Sequence, residues 1–253
     1  DLDIIDDGDN NGYGIVLNAA HSIFMQNVRV MGTQKSGVYM TNTVSVTTIG
    51  CLFDARESDT GESAFYHYTN SINVLHLRSR FYAGADCIGA NCVSGANLKF
   101  IGCDFSGGAA STAVGVAVGD IYNLSIDTCY FEACGKYGVW VGTGSGLPAG
   151  IVIRDSWFNL STIASIVGIQ IDKCYSGLID HNSMLGDAPV GSVGIFIKQA
   201  VGISDIQYLT VGQNYIDGVA TVLGDAKGRA DATGITRKQK YGTVPPLDGT
   251  LYT

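Results

Sequence analysis

The sequence predicts an all-β chain wound as a single-stranded parallel β-helix, a solenoid of about eight coils. Three observations predict it. The stretch Asn97 to Phe105, NLKFIGCDF, returns in modified form along most of the chain. A second, Gly-led segment with strict alternation precedes it in most coils, and alternation at period two marks a strand. No helical run of ten or more residues interrupts them.

Aligned on Cys103, the copies read NVRVMGT ending at Thr33, VTTIGCLF with Cys51, LHLRSRFY with Arg80, LSIDTCYF with Cys129, IVIRDSWF with Ser156, LIDHNSML with Ser183 and LTVGQNYI with Asn214. The intervals are 18, 29, 23, 26, 27, 27 and 31 residues. The Gly-led segments open at Gly14, Gly37, Gly115, Gly138, Gly168 and Gly194. Leucine-rich repeats would need a leucine and asparagine spacing that is missing, and propeller blades would need longer repeats.

Taken in order, Asp1 to Asn11 is an acidic, turn-like opening whose carboxylates superficially resemble a calcium loop. The Glu that closes an EF-hand loop at its twelfth position is missing, so a solvated turn is the better reading. Leu2, Ile4 and Ile5 already read as strand residues, so the numbering is expected to begin inside a larger solenoid. The β-helix is assigned to residues 1–218. Insertions of variable length follow Phe53, Phe105, Phe158 and Met184 at one corner, and a further one spans 143–148. Such insertions build a binding face or serve as passive loops. Residues 219–253 carry Lys227, Arg229, Arg237, Lys238 and Lys240, five of the 15 basic residues, and form a cap or exit segment. An open solenoid end needs such a cover whatever the function.

Composition narrows the function. A net charge of −8 argues against a sequence-independent nucleic-acid binder, which would present a basic face. No apolar run approaches membrane-spanning length, and the first residues lack signal-peptide character. The seven cysteines are odd in number, lack CxxC spacing, and place Cys51, Cys103 and Cys129 in one inward register. Stacked, reduced thiols filling a corner fit better than disulfides or zinc. No metal or other cofactor is expected. GxSxG, HExxH and phosphate-binding Gly-Lys motifs are missing, so serine-hydrolase, zinc-protease and nucleotide chemistries have no support.

Alternation turns Leu98, Phe100, Cys103 and Phe105 inward and Lys99 and Asp104 outward. The Asp104 column then reads Leu52, Phe81, Asp104, Tyr130, Trp157, Met184 and Tyr215. The outward centre of the Gly-led strand reads Val16, Tyr39, Ala117, Trp140, Gln170 and Phe196. Tyr130, Trp157 and Trp140 thereby offer sugar rings a stacking platform, or a surface buried against another subunit. The corner before the inward Cys or Ser is the most polar: Arg78, Asp127, Arg154 and His181 share one column, Asp155, Asn182 and Gln213 the next, and Asp180 precedes His181. Paired carboxylates there would suit glycoside hydrolysis, with Asp127, Asp155 and Asp180 catalytic and Arg154 and His181 holding substrate. The competing reading is structural, with Asp127 and Arg154 a corner salt bridge and Asp180 a partner of turn amides. Glu57, Asp59 and Glu62 in one loop, and Asp120 and Asp172 at strand ends, are further candidates.

With its coils laid out from about Gly14 to Asp217, the chain resembles the right-handed parallel β-helix of the pectin-lyase-like superfamily, and most of all the body of bacteriophage tailspikes. Coil length, Gly-led strands and the inward Cys, Ser and Asn corner carry the resemblance. It implies an extracellular or virion-tail homotrimer that binds and cleaves a bacterial surface polysaccharide, by hydrolysis with acidic residues or by elimination. The calcium-binding carboxylates and Arg base of pectate lyases match no positions here. The alternatives are a non-catalytic structural or adhesive module and a secreted, monomeric pectinase-like enzyme.

Overall fold

Each coil turns its two-residue alternation into three strands, and every strand pairs in parallel with its counterpart one coil away. The computed structural model describes residues 2–5, 12–33, 35–55, 62–107, 112–160, 165–187, 191–198, 206–219, 221–225, 236–237 and 240–241. Among these there is no helix.

The Gly-led face begins with Ile15–Asn18, Val38–Thr41 and Ser63–Thr69 and continues through Tyr137–Val141, Val167–Ile171 and Val193–Ile197. A leucine face stacks His21–Gln26, Val44–Ile49, Ser71–Leu77, Ala149–Arg154, Ser176–Asp180 and Leu209–Val211. The 14-residue strands Ile88–Ile101 and Val114–Asp127 run unbroken through both faces. A third, phenylalanine face is a ten-stranded sheet that includes Leu52–Ala55, Arg80–Ala83, Asp104–Ser106, Tyr130–Glu132, Trp157–Asn159 and Ser183–Leu185. Beyond Gly218, Thr221–Asp225, Thr236–Arg237 and Lys240–Tyr241 add one more rung to the three faces.

The core is a column of like on like. Phe53, Phe81, Phe105, Phe131 and Phe158 are buried one above another, with successive ring centroids 5.4, 4.9, 4.9 and 4.5 Å apart. Such offset stacks are worth about 0.5–1.5 kcal/mol each beyond the area they bury. They also explain the leading glycines. A Cβ on Gly115 would meet the Gly138 carbonyl at 2.5 Å and the Phe131 ring at 2.9 Å, and one on Gly138 would meet the Gly168 carbonyl at 2.7 Å and the Phe158 ring at 2.8 Å. The coils approach too closely there for any side chain.

All seven cysteines are buried and free. Cys103 and Cys129 stand in adjacent coils, and their thiols donate to the carbonyls of His76 (3.4 Å) and Asp127 (3.3 Å). Burial pushes the Cys129 thiol up. These are packing groups, as the alternation predicts.

The register differs from the sequence alignment in three coils. Arg80 pairs with Asp104 and Ser183 with Trp157, so the inward corner slot of Cys103 belongs to Ser79 and Asn182, one residue earlier than Arg80 and Ser183. In the first copy Arg29 pairs with Leu52, which puts Val28 in the slot assigned to Thr33. Phe81 and Met184 therefore point inward and are fully buried, and Arg80 and Ser183 replace them in the outward Asp104 column. Hydrogen bonding decides the slot. The Cys51 amide donates to Ser79 Oγ (3.3 Å), Cys129 to Ser156 Oγ (3.1 Å), Ser156 to Asn182 Oδ1 (3.1 Å) and Asn182 to Asn214 Oδ1 (3.0 Å). Buried amides need these acceptors.

Candidate functional site on the phenylalanine face

The polar corner is built by its backbone. Asn27, Gly50, Arg78, Gly102, Thr128, Asp155 and His181 all have φ between 48° and 60°, a left-handed turn repeated in seven successive coils. This column corrects the predicted one. Arg78 and His181 stand with Asp155, Asp180 stands with Arg154 and Asp127, and Asn182 points inward.

The corner acids are occupied. Arg154 donates through Nε (2.8 Å) and Nη2 (2.6 Å) to Asp127 Oδ2, and its Nε lies 3.9 Å from Asp155. Asp180 accepts the Gln213 amide (2.6 Å) and faces His181 Nδ1 at 2.9 Å. A general acid needs an apolar wall or a like charge beside it to stay protonated. Asp127 and Asp155 instead share a guanidinium, and Asp180 caps a turn amide. The geometry is that of a strapped corner.

The other candidates are also tied down. Asp172 accepts Trp140 Nε1 (3.0 Å) and Gln170 Nε2 (2.7 Å), so Trp140 is a half-buried, pinned ring on the Gly-led face, on a different sheet from Trp157. Asp120 accepts the Gly146 amide (2.7 Å). Glu62 accepts Ser36 Oγ (2.6 Å). Glu57, Asp59 and the acidic stretch 6–11 lie outside the described residues.

A different constellation forms where the phenylalanine face turns outward. Its first column runs Leu52, Arg80, Asp104, Tyr130, Trp157, Ser183 and Tyr215, and its second Asp54, Tyr82, Ser106, Glu132, Asn159, Leu185 and Asp217. Tyr130 and Trp157 are adjacent rungs, as predicted, and Trp157 and Tyr215 are 48% and 47% exposed. Diagonally across from Asp104, one coil on, sits Glu132.

Asp104 differs from the corner acids. Its Oδ1 is buried without a hydrogen-bond partner, and Arg80 reaches its Oδ2 only at 3.9 Å. Burial pushes its carboxyl up, Arg80 opposes that, and the charge of Glu132 adds to it. Burial, followed by the charge of Glu132, pushes the ionisation of the Tyr130 hydroxyl up, and Asn159 opposes it. The face therefore unites a carboxyl that burial makes less acidic, a second carboxylate diagonal to it, and a half-exposed indole. Glu132 was missed because the repeats were read only as far as the Phe position. Its signal is the outward parity it shares with Asp104, two residues further along the strand.

The family model of the right-handed β-helix region matches residues 9–184, well over half of the chain. The chain belongs to this family. Two β-helix neighbours of known structure align over most of it. The surface protein and adhesin PfbA of Streptococcus pneumoniae superposes with a TM-score of 0.53 and 11% identity, covering 89% of this chain and 66% of that one. A glycoside hydrolase superposes with a TM-score of 0.53 and 12% identity, covering 91% of this chain and 37% of its own. The chain thus spans less than two thirds of each neighbour. At such identities the likeness is one of fold. No curated protein sequence matches the chain. The insertions after Phe53, Phe105, Phe158 and Met184 all leave from strands that carry this face.

Proposed function

We propose that this β-helix binds a bacterial surface polysaccharide along its phenylalanine face and hydrolyses it there. In this reading it is a tailspike-type depolymerase working outside the cell, on a virion tail, as a homotrimer. One observation carries it: Asp104, with its unpartnered buried oxygen, lies diagonal to Glu132 beside the Tyr130 and Trp157 rings.

The chemistry follows from the two environments. Asp104 protonates the glycosidic oxygen as the bond breaks, and Glu132 takes a proton from the attacking water. The backbones of diagonal neighbours on a sheet face are about 7–8 Å apart, which leaves room for a water between the two side chains, as inversion requires. Trp157 and Tyr215 supply flat apolar surfaces for sugar rings.

The test is reducing-end release from purified capsules and lipopolysaccharides. Release that vanishes in Glu132→Gln and Asp104→Asn, with folding intact, supports the proposal. No release across a broad panel overturns it, and a product with the ultraviolet absorbance of an unsaturated uronate identifies a lyase instead. The second reading, a non-catalytic adhesive or structural module, is favoured by the engagement of all three corner acids within the chain. It predicts glycan binding that survives Glu132→Gln and is lost in Trp157→Ala. Mass measurement in solution separates a trimer from a monomeric enzyme.

A further inference from the structure

Two histidines lie inside the aromatic core, where neither the corner nor the phenylalanine face uses them. His67 and His76 are both fully buried, and their Nε2 atoms are 3.3 Å apart. His76 stacks on Phe100 at 4.8 Å and 14°, in the inward slot that Phe100 fills one coil on. His67 stacks on Phe65 at 4.7 Å. His76 Nδ1 meets Thr48 Oγ1 at 2.7 Å, Thr48 Oγ1 meets Ser79 Oγ at 3.1 Å, and Ser79 Oγ donates to the Leu77 carbonyl at 3.2 Å.

The chain of partners sets the protons. Because Ser79 gives its proton to a carbonyl, it accepts from Thr48, and Thr48 in turn accepts from His76 Nδ1. His76 Nε2 is then bare and accepts from His67 Nε2. All donors on this path are used, and the one group left over is the lone pair of His67 Nδ1, which has no partner. The opposite direction would bury an unpartnered N–H there, the costlier of the two.

Among the described residues around the pair, none is a carboxylate that could balance an added charge. The coil before contributes Met40 and Thr48 and the coil after Cys92 and Phe100, with Phe65, Phe81, Ser79 and the Cys103 thiol around them. The titratable groups facing the pair are thiols, and His76 is disfavoured as a cation by its burial and then by His67. We propose that the His67–His76 pair is an acid-sensitive seam in the middle of the solenoid, where a proton opens the coils around Ser63–Leu77 before those further along the stack. A second proton on His76 Nε2 faces the His67 Nε2–H and breaks the path, and one on His67 Nδ1 leaves a cationic N–H without an acceptor in an apolar interior, since imidazolium donates from both nitrogens. Parallel coils contact only their neighbours, so a lost contact stays local.

The sign is fixed by burial. His67 is lowered to about 3 in the folded chain, against about 6.5 when exposed, so the stabilising contribution is complete above pH 6.5 and is lost as pH falls below it. At pH 5 the opening constant rises about 30-fold per histidine. Hydrogen exchange by mass spectrometry at pH 7.5 and 5.0, corrected for intrinsic rates, reads this directly. The expected result is a selective loss of protection across Ser63–Leu77 at pH 5.0, with Val114–Leu185 unchanged. His67→Met with His76→Phe, which take side chains used in equivalent slots, abolishes the difference. Imidazole 15N shifts of the unaltered protein serve if that variant does not fold, and they should give a protonated Nε2 on His67 and a protonated Nδ1 on His76 at pH 6. Uniform loss of protection along the stack, or either histidine titrating near 6.5 in the folded protein, overturns the proposal.

Discussion

The polar corner and the outward phenylalanine face both carry carboxylates in adjacent coils, only a few residues apart along the strand path, and they use them in opposite ways. At the corner, Asp127 and Asp155 surround Arg154, and Asp180 accepts a turn amide. On the face, Asp104 keeps one oxygen unpartnered, and its nearest cation is 3.9 Å away. Acidic residues in register are therefore no mark of chemistry in a β-helix. What separates the two regions is whether the fold itself consumes the carboxyl.

The largest effects should come from breaking the face. Glu132→Gln is expected to lower reducing-end release by more than about 100-fold with an unchanged denaturation midpoint. Asp127→Asn, at an ion pair whose arginine side chain is 52% exposed, should change release less than about threefold and stability by under about 1 kcal/mol. Equal losses in both variants would erase the distinction.

Next in size is the corner's inward wall. Asn182 accepts the Ser156 amide and donates to the Ile153 carbonyl (2.9 Å) and to Asn214, all in the interior. Asn182→Ala strands those groups without water and should cost roughly 2–4 kcal/mol in urea unfolding. A value near zero would mean the hydrogen-bonded ladder does not set the register. Trp157→Ala should weaken glycan binding about tenfold, or about 1.4 kcal/mol, with little change in stability, because the indole is half exposed.

The smallest effect sharpens the comparison by pH. Asp104 holds its proton more tightly folded than unfolded, so its folded carboxyl lies above the ordinary value near 3.8 and stability falls as pH rises through that folded value. Asp104→Asn should therefore raise the urea midpoint at pH 7 and flatten its decline above pH 4. A lower midpoint at pH 7 would show that the ionised carboxylate is stabilising, as at the corner.

How much of this was legible depends on the kind of contact. Period-two alternation, the Gly-led strands and the Phe position are local patterns, and they determined the parallel solenoid, the buried thiols and the Tyr130–Trp157 rungs. The same rule misplaced Ser79 and Asn182. In LHLRSRFY and LIDHNSML the apolar letters invite a reading with Leu75, Leu77 and Leu178 inward, yet His76 and Ile179 hold those inward slots. Hydrophobicity votes for one parity while the hydrogen bonds of the next coil vote for the other. Those partners are 26 to 32 residues away in the chain.

Chemistry was harder to read than shape for the same reason. That aspartates stand near arginines and aromatics was visible along the chain. Which carboxyl is consumed was not, because it turns on the position of one guanidinium relative to three acids and on how closely the coils bring Arg80 and Glu132 to Asp104. Alternation alone determined which residues could share a face. Only the stacking of coils, through steric closeness at the glycines and the demand of buried amides for acceptors, decided the register that made Asp104 and Glu132 diagonal neighbours.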